Sequence, residues 1–145
     1  MKRLTTLAAA AMALIAPASA LAENIQQEGF IKGDKAAPVK LRVKVDSSGD
    51  VKKVGGFRAQ NVVASCDGEK VIRIQLTALT PVPVERDNSF KVRLSDGSGG
   101  ILRITGEIKD GGRVTVGNLK TNEFESGKLT CRVSKQRFAT SAGSS

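Results

Sequence analysis

Val39-Lys-Leu-Arg-Val-Lys-Val45 alternates apolar and cationic residues without a break. Successive side chains of a strand point to opposite faces, so Val39, Leu41, Val43 and Val45 share one face and Lys40, Arg42 and Lys44 the other. The same period recurs along the chain. Ile72, Ile74, Leu76 and Ala78 alternate with Arg73, Gln75 and Thr77, and Phe90, Val92 and Leu94 with Lys91 and Arg93. Leu102, Ile104 and Ile108 line a further strand, Val114 to Leu119 the next, and Leu129, Cys131 and Val133 face inward on the last. Beyond residue 22, no stretch of ten residues carries a convincing helical period.

Turn chemistry separates these runs. Asp46-Ser-Ser-Gly-Asp50 returns the chain as a second strand, Val51 to Phe57, which Gly55-Gly56 interrupts with an expected bulge. Pro81-Val-Pro83 opens a connection that ends at Asp87-Asn88, and Asp96-Gly-Ser-Gly-Gly100 and Asp110-Gly-Gly112 reverse two later strands. About seven strands with turns every 8–12 residues describe an all-β protein, expected to be an antiparallel two-layer β-sandwich of immunoglobulin-like architecture. A small β-barrel is the alternative, since the same alternation serves both.

The N-terminus has a different character. Lys2 and Arg3 precede an uncharged Ala/Leu-rich run from Leu4 to Ala16, which closes on Ala18-Ser-Ala20 and Ala20-Leu-Ala22. This is the layout of a secretory signal peptide, too short to span a bilayer. Cleavage is expected after Ala22, with Ala20 as the alternative. It leaves a single domain of residues 23–145, with loose ends at 23–28 and 139–145. The expected destination is extracellular or associated with the cell envelope, with no transmembrane segment and no lipid anchor. Losing Lys2 and Arg3 leaves 21 cations against 14 anions, a net charge of +7. Such a protein accumulates near polyanions, or its charge only keeps it dispersed.

Cys66 and Cys131 are the only cysteines. In an exported chain a lone pair points to one disulfide, which over this loop stabilises the fold by about 4 kcal/mol in the chain-entropy picture. A redox pair would sit closer in sequence, and a metal site needs more ligands than two thiolates. The chain has no His, Trp or Tyr. Without His, neither the Ser-His-Asp and Cys-His arrangements nor a His-based zinc site can be built. The five aromatics, Phe30, Phe57, Phe90, Phe124 and Phe138, are expected in the core. No cofactor and no metal is expected.

The order of landmarks resembles small exported bacterial β-domains of unknown function. Phe30-Ile-Lys-Gly33 opens the pattern, the Ser48-Gly-Asp-Val51 turn follows, and Phe57 lies on a strand ending before Cys66. Leu79-Thr-Pro-Val-Pro-Val84 leads into Ser89-Phe90. Ile104-Thr-Gly-Glu-Ile108 and Gly117-Asn-Leu119 pair before Leu129-Thr-Cys131 and Phe138. The resemblance covers nearly all of the chain after residue 22 and implies a single-disulfide β-sandwich without implying an activity. Two departures are Phe30 where Tyr is expected, and the basic first strand.

Lys40, Arg42 and Lys44, helped by Lys52, Lys53, Lys91 and Arg93, are the candidate binding residues. If their strands share a sheet, the exposed face is a cationic plate for wall or extracellular polyanions. The plainer reading is a solvated face whose lysines discourage edge-to-edge pairing. Specific nucleic-acid recognition is not expected, because no exposed aromatics interleave with the cations. Glu107, Asp110, Glu123 and Glu125 are the only acid/base candidates, and they occupy positions typical of solvated acids. Asp46, Asp50, Asp96 and Asp110 fit turn chemistry better than a Ca²⁺ site, and Asp96–Gly100 has no following helix to cradle phosphate. The sequence thus points to a monomeric, non-catalytic exported binding module. The alternative is a protein-interaction module or extracellular-enzyme inhibitor, working through the Thr80–Asn88 loop that its prolines would preorganise.

Overall fold

Period-two alternation becomes strand almost everywhere in the computed structural model, which describes residues 22–143. The expected leader therefore lies outside the described residues, apart from Ala22. Eleven strands occur among the described residues: β1 (Glu23–Ile31), β2 (Asp34–Val45), β3 (Val51–Cys66), β4 (Lys70–Ala78), β5 (Val82–Pro83), β6 (Ser89–Ser95), β7 (Ile101–Lys109), β8 (Val114–Thr121), β9 (Phe124–Ser126), β10 (Leu129–Arg132) and β11 (Gln136–Ala142). All pair antiparallel in one open sheet, in the order β6-β7-β8-β11-β1-β2-β3-β10-β9, with β4 and β5 on the other edge of β3.

The all-β, antiparallel expectation holds, and the strand count of about seven was too low. Residues 23–28 and 139–142 are not loose ends. They belong to β1 and β11, which pair with each other at the middle of the sheet from Gln27 opposite Ala142 to Ile31 opposite Phe138. The returning strand does not stop at Phe57 but runs on to Cys66 through a bulge at Asn61, whose φ is 54°. That bulge is pinned from two sides. Asn61 Nδ2 donates to the Ala36 carbonyl at 3.0 Å, and the Arg73 guanidinium donates to the Asn61 carbonyl at 2.8 Å and to Asp34 at 3.1 Å. The expected irregularity at Gly55-Gly56 is present, with Gly56 at φ 61° and a register shift against β2.

The sheet curls around one core. Phe57 of β3 meets Phe138 of β11 edge to face, with ring centroids 5.5 Å apart, although β1 and β2 lie between their strands. β4 and β6 both line a groove of about 340 Å³, with Ile74, Leu76, Leu94 and Phe124 in its wall, and neither strand pairs across it. One inward row explains how tightly the strands approach. Phe90 stands opposite Gly106, Gly106 opposite Gly117, and Gly117 opposite Phe138. The rings occupy the space that the glycines leave, since a Cβ on Gly106 would lie 2.6 Å from Phe90 and one on Gly117 2.8 Å from Phe138. Three Phe are thus buried as expected, namely Phe57, Phe90 and Phe138, and Phe124 is half-buried. Phe30 is not in the core. It is 47% exposed, because it is out of phase with the inward residues Ile25, Gln27 and Ile31 of the same strand.

Two further devices hold the curled sheet. Gln27, fully buried, donates from Nε2 to the Gly112 carbonyl at 2.7 Å and accepts from the Thr140 hydroxyl at 2.7 Å. Both ends of its amide are thereby partnered, which a buried amide requires. Cys66 and Cys131 are directly opposite on β3 and β10 and form the expected disulfide, S–S 1.98 Å. Only this pair and Arg132 opposite Ser65 join β10 to β3.

Two outcomes follow. Gly117→Ala overpacks the Phe–Gly–Gly–Phe row and lowers stability in urea by about 2 kcal/mol; an unchanged unfolding midpoint would show that the row has slack. Replacing both cysteines by Ala removes about 4 kcal/mol in the chain-entropy picture. In hydrogen exchange, β9 and β10 then lose amide protection before any other strand, and retained protection there would mean that backbone pairing alone holds them.

Candidate functional site

β2 lies between β1 and β3, so its cations belong to a face with neighbours on both sides. Its buried residues Val39, Leu41, Val43 and Val45 fix Lys40, Arg42 and Lys44 on the outer surface. The register against β3 adds two more cations there. Lys44 stands directly opposite Lys53, and Lys40 directly opposite Arg58, with Arg42 across from Gly55. Residues directly opposite in an antiparallel pair share a face, so Lys40, Arg42, Lys44, Lys53 and Arg58 form one outer patch. Among the described residues one carboxylate lies within 4 Å of its cations, that of Glu28 of β1, 3.4 Å from the Lys40 ammonium.

Lys52 does not join this patch. It sits at the register shift beside the β2–β3 turn, and its ammonium is 3.6 Å from Asp46. Lys91 and Arg93 are on β6, at the far end of the hydrogen-bonded path from β3. There a second row forms: Arg93 opposite Arg103, and Arg103 opposite Lys120. None of these three has a carboxylate within 4 Å among the described residues. Beside them, Arg103, Lys120, Arg132 and Lys135 line a depression of about 540 Å³, where Glu123 pairs with Arg132 at 3.8 Å. The seven candidate cations therefore divide into two faces and one local ion pair. Arg58 and Lys120 were not foreseen as members, although each lies between two buried residues, Phe57 and Ala59 or Leu119 and Thr121.

The other candidates are placed by the same register. Glu107 is opposite Val116, whereas Glu123 follows Thr121, which is opposite Leu102, so most of the length of β8 separates the two acids. The connection from Thr80 to Asn88 is held along much of its length. Val82 pairs with Val54 and Pro83 with Lys53, Val84 N–H donates to the Lys52 carbonyl at 2.9 Å, and Asn88 N–H donates to the Glu85 carbonyl at 2.9 Å. A Cβ on Gly55 would meet Pro81 at 2.9 Å, so this proline packs against the sheet.

The turn acids act as backbone caps. Asp46 accepts N–H donors from Asp50 at 3.0 Å and Ser48 at 2.9 Å, and these bonds, Asp50 first, hold its carboxyl below the usual range, with Lys52 adding to the effect. The Ser89 hydroxyl and then its N–H lower Asp87. For Asp96, the Ser98 N–H leads, followed by the Ser98 hydroxyl, with the Gly100 N–H contributing. No three Asp, Glu or Cys side chains are gathered as a metal site would need among the described residues. No helix there is long and apolar enough to cross a membrane. Comparison with family models, curated proteins and solved structures gave no match.

A carboxylate depressed in the folded state contributes stability above its ordinary pKa of 3.8 and loses it as pH falls through the folded value. The double variant Asp46→Asn with Asp96→Asn therefore shows a flatter acid limb below about pH 4 than the parent in thermal melts. Parallel limbs would mean that these caps do not bias the carboxyls.

Proposed function

We propose that this chain is an exported, monomeric, non-catalytic module that binds polyanionic wall or extracellular polymers through the outer face of β2 and β3. Lys40, Arg42, Lys44, Lys53 and Arg58 are the contact residues in this reading. The observation that carries it is the like-charge pairing of Lys44 with Lys53 and of Lys40 with Arg58. Like charges directly opposite on neighbouring strands destabilise a sheet, and an anion laid across them relieves the repulsion. Edge protection does not account for them, because β2 is flanked on both sides. The disulfide is compatible with an oxidising compartment, which supports the export that residues 1–22 suggest. The architecture in this reading is the two-layer, immunoglobulin-like sandwich: the contact of Phe57 with Phe138 supports the curling that it shares with a small barrel, and the lack of pairing between β4 and β6 favours the open form over the closed one. It also fits the resemblance to small exported β-domains.

The test joins affinity to stability. Long-chain inorganic polyphosphate immobilised on beads retains the protein at low salt and releases it as salt rises. Changing Arg42, Lys44 and Lys53 to Glu weakens retention on this face and lowers the slope of log affinity against log salt by about 2. Lys53→Glu alone turns a repelling pair into an attractive one, raising stability by about 0.5 kcal/mol while lowering affinity. Retention that ignores both salt and these substitutions would remove the proposal.

A further inference from the structure

The second cationic row has a consequence for how such a polymer is held. Arg103 and Lys120 alternate with buried Leu102, Ile104 and Leu119, and Arg93 shares their face directly opposite Arg103, just as Lys40, Arg42 and Lys44 alternate with buried Val39, Leu41, Val43 and Val45. Both sets therefore point away from the same core. Along the order β6-β7-β8-β11-β1-β2-β3, β7 and β2 are separated by β8, β11 and β1. The sheet curls far enough that β3 touches β11 through their Phe rings and β4 and β6 share one groove. β7 and β2 accordingly lie across the core from each other, and their outer faces look in opposite directions.

The strands between them interrupt the charge on both sides. By way of β4 the outward residues are Val71, Arg73, Gln75 and Thr77, and Arg73 is paired with Asp34 at 3.1 Å. β1 presents Asn24, Gln26, Glu28 and Phe30 outward, with no cation, and β11 presents Ala139 and Ser141 beside Arg137. A polymer seated on β2 and β3 meets Glu28 and uncharged residues, with Arg137 as the one cation of these two strands, before it reaches β7 by that side. Each face also carries its own like-charge stacking, Lys44 with Lys53 on one side and Arg93 with Arg103 and Lys120 on the other. The argument that β2 is not an edge strand applies equally to β7 and β8, each flanked on both sides.

We infer that the two faces are independent sites for phosphate-bearing polymer strands, so that one monomer bridges two strands. The arginines favour phosphate as the anionic group, since the guanidinium fork matches it in two hydrogen bonds. This inference rests on the polyanion reading above and adds valency to it. Two sites on one rigid body convert the second capture into an intramolecular event, which gains avidity with no new contact.

Polyphosphate beads loaded with protein are washed and then offered fluorescent polyphosphate in solution. The wild-type chain captures the labelled polymer. The variant Arg42→Glu, Lys44→Glu, Lys53→Glu and the variant Arg93→Glu, Arg103→Glu, Lys120→Glu are each retained on the beads at low salt, but each loses at least tenfold of the captured label. The six-site variant is not retained at all. If the wild-type binds the beads but captures no label, the polyanion reading stands and bridging is wrong. Should either three-site variant still capture label, self-association or wrapping explains the capture and the inference falls. If one three-site variant abolishes retention altogether, there is a single site. Absence of wild-type retention overturns both readings. Circular dichroism of each variant at matched concentration separates loss of a site from loss of the fold.

Discussion

Five residue pairs between β1 and β11, from Gln27 opposite Ala142 to Ile31 opposite Phe138, join two half-sheets that otherwise share no backbone ladder. On one side lie β6, β7 and β8, and on the other β2, β3, β4 and the short strands β5, β9 and β10. Gln27 makes this joint specific. Its amide is satisfied only when Thr140 of β11 and the Gly112 carbonyl of the β7–β8 turn are both in place. A slip of one residue would turn Gln27 outward and leave those partners unpaired inside the core, which makes the register expensive to lose. The Phe–Gly–Gly–Phe row continues the joint sideways, and the disulfide ties the chain between β8 and β11 back to β3.

The outer surface inherits its pattern from that joint. Because β1 and β11 occupy the middle of the sheet, the cationic strands are divided between its two halves and not collected on one plate. The cations facing each other across β2 and β3, and across β6, β7 and β8, oppose the pairing that holds their strands together. Burial beneath them is what allows it, since Val39, Leu41, Val43, Ile104 and Leu119 are at most 1% exposed. Buried apolar surface on one side of each strand thus offsets repulsion on the other.

Strands with a clean apolar phase were legible in the sequence, and β2, β4, β6, β7, β8 and β10 were all anticipated. β1, β11 and the second half of β3 were missed for two different reasons. β1 buries Ile25, Gln27 and Ile31, and β11 buries Phe138 and Thr140, so their inward phases carry polar residues that give no hydrophobic signal. The second half of β3 was hidden by the bulge at Asn61, which shifts the buried phase from Ala59 to Val62. For the candidate site, the outward orientation of Lys40, Arg42, Lys44, Lys91 and Arg93 was readable locally. Their division into two faces was not, because it depends on pairings between segments distant in sequence, which no local period encodes.

The placement of β1 and β11 also bears on when the fold can form. Residues near the start of the described chain must wait for residues 136–142 before the central ladder closes. Long-range pairings of this kind form late and slowly. A chain still emerging from a ribosome can build the local β2–β3 and β6–β7–β8 hairpins. It cannot close its middle until nearly every residue is through. Topology alone thereby keeps the unfinished chain open, and commits it to its final shape only when residues 136–142 are free to pair.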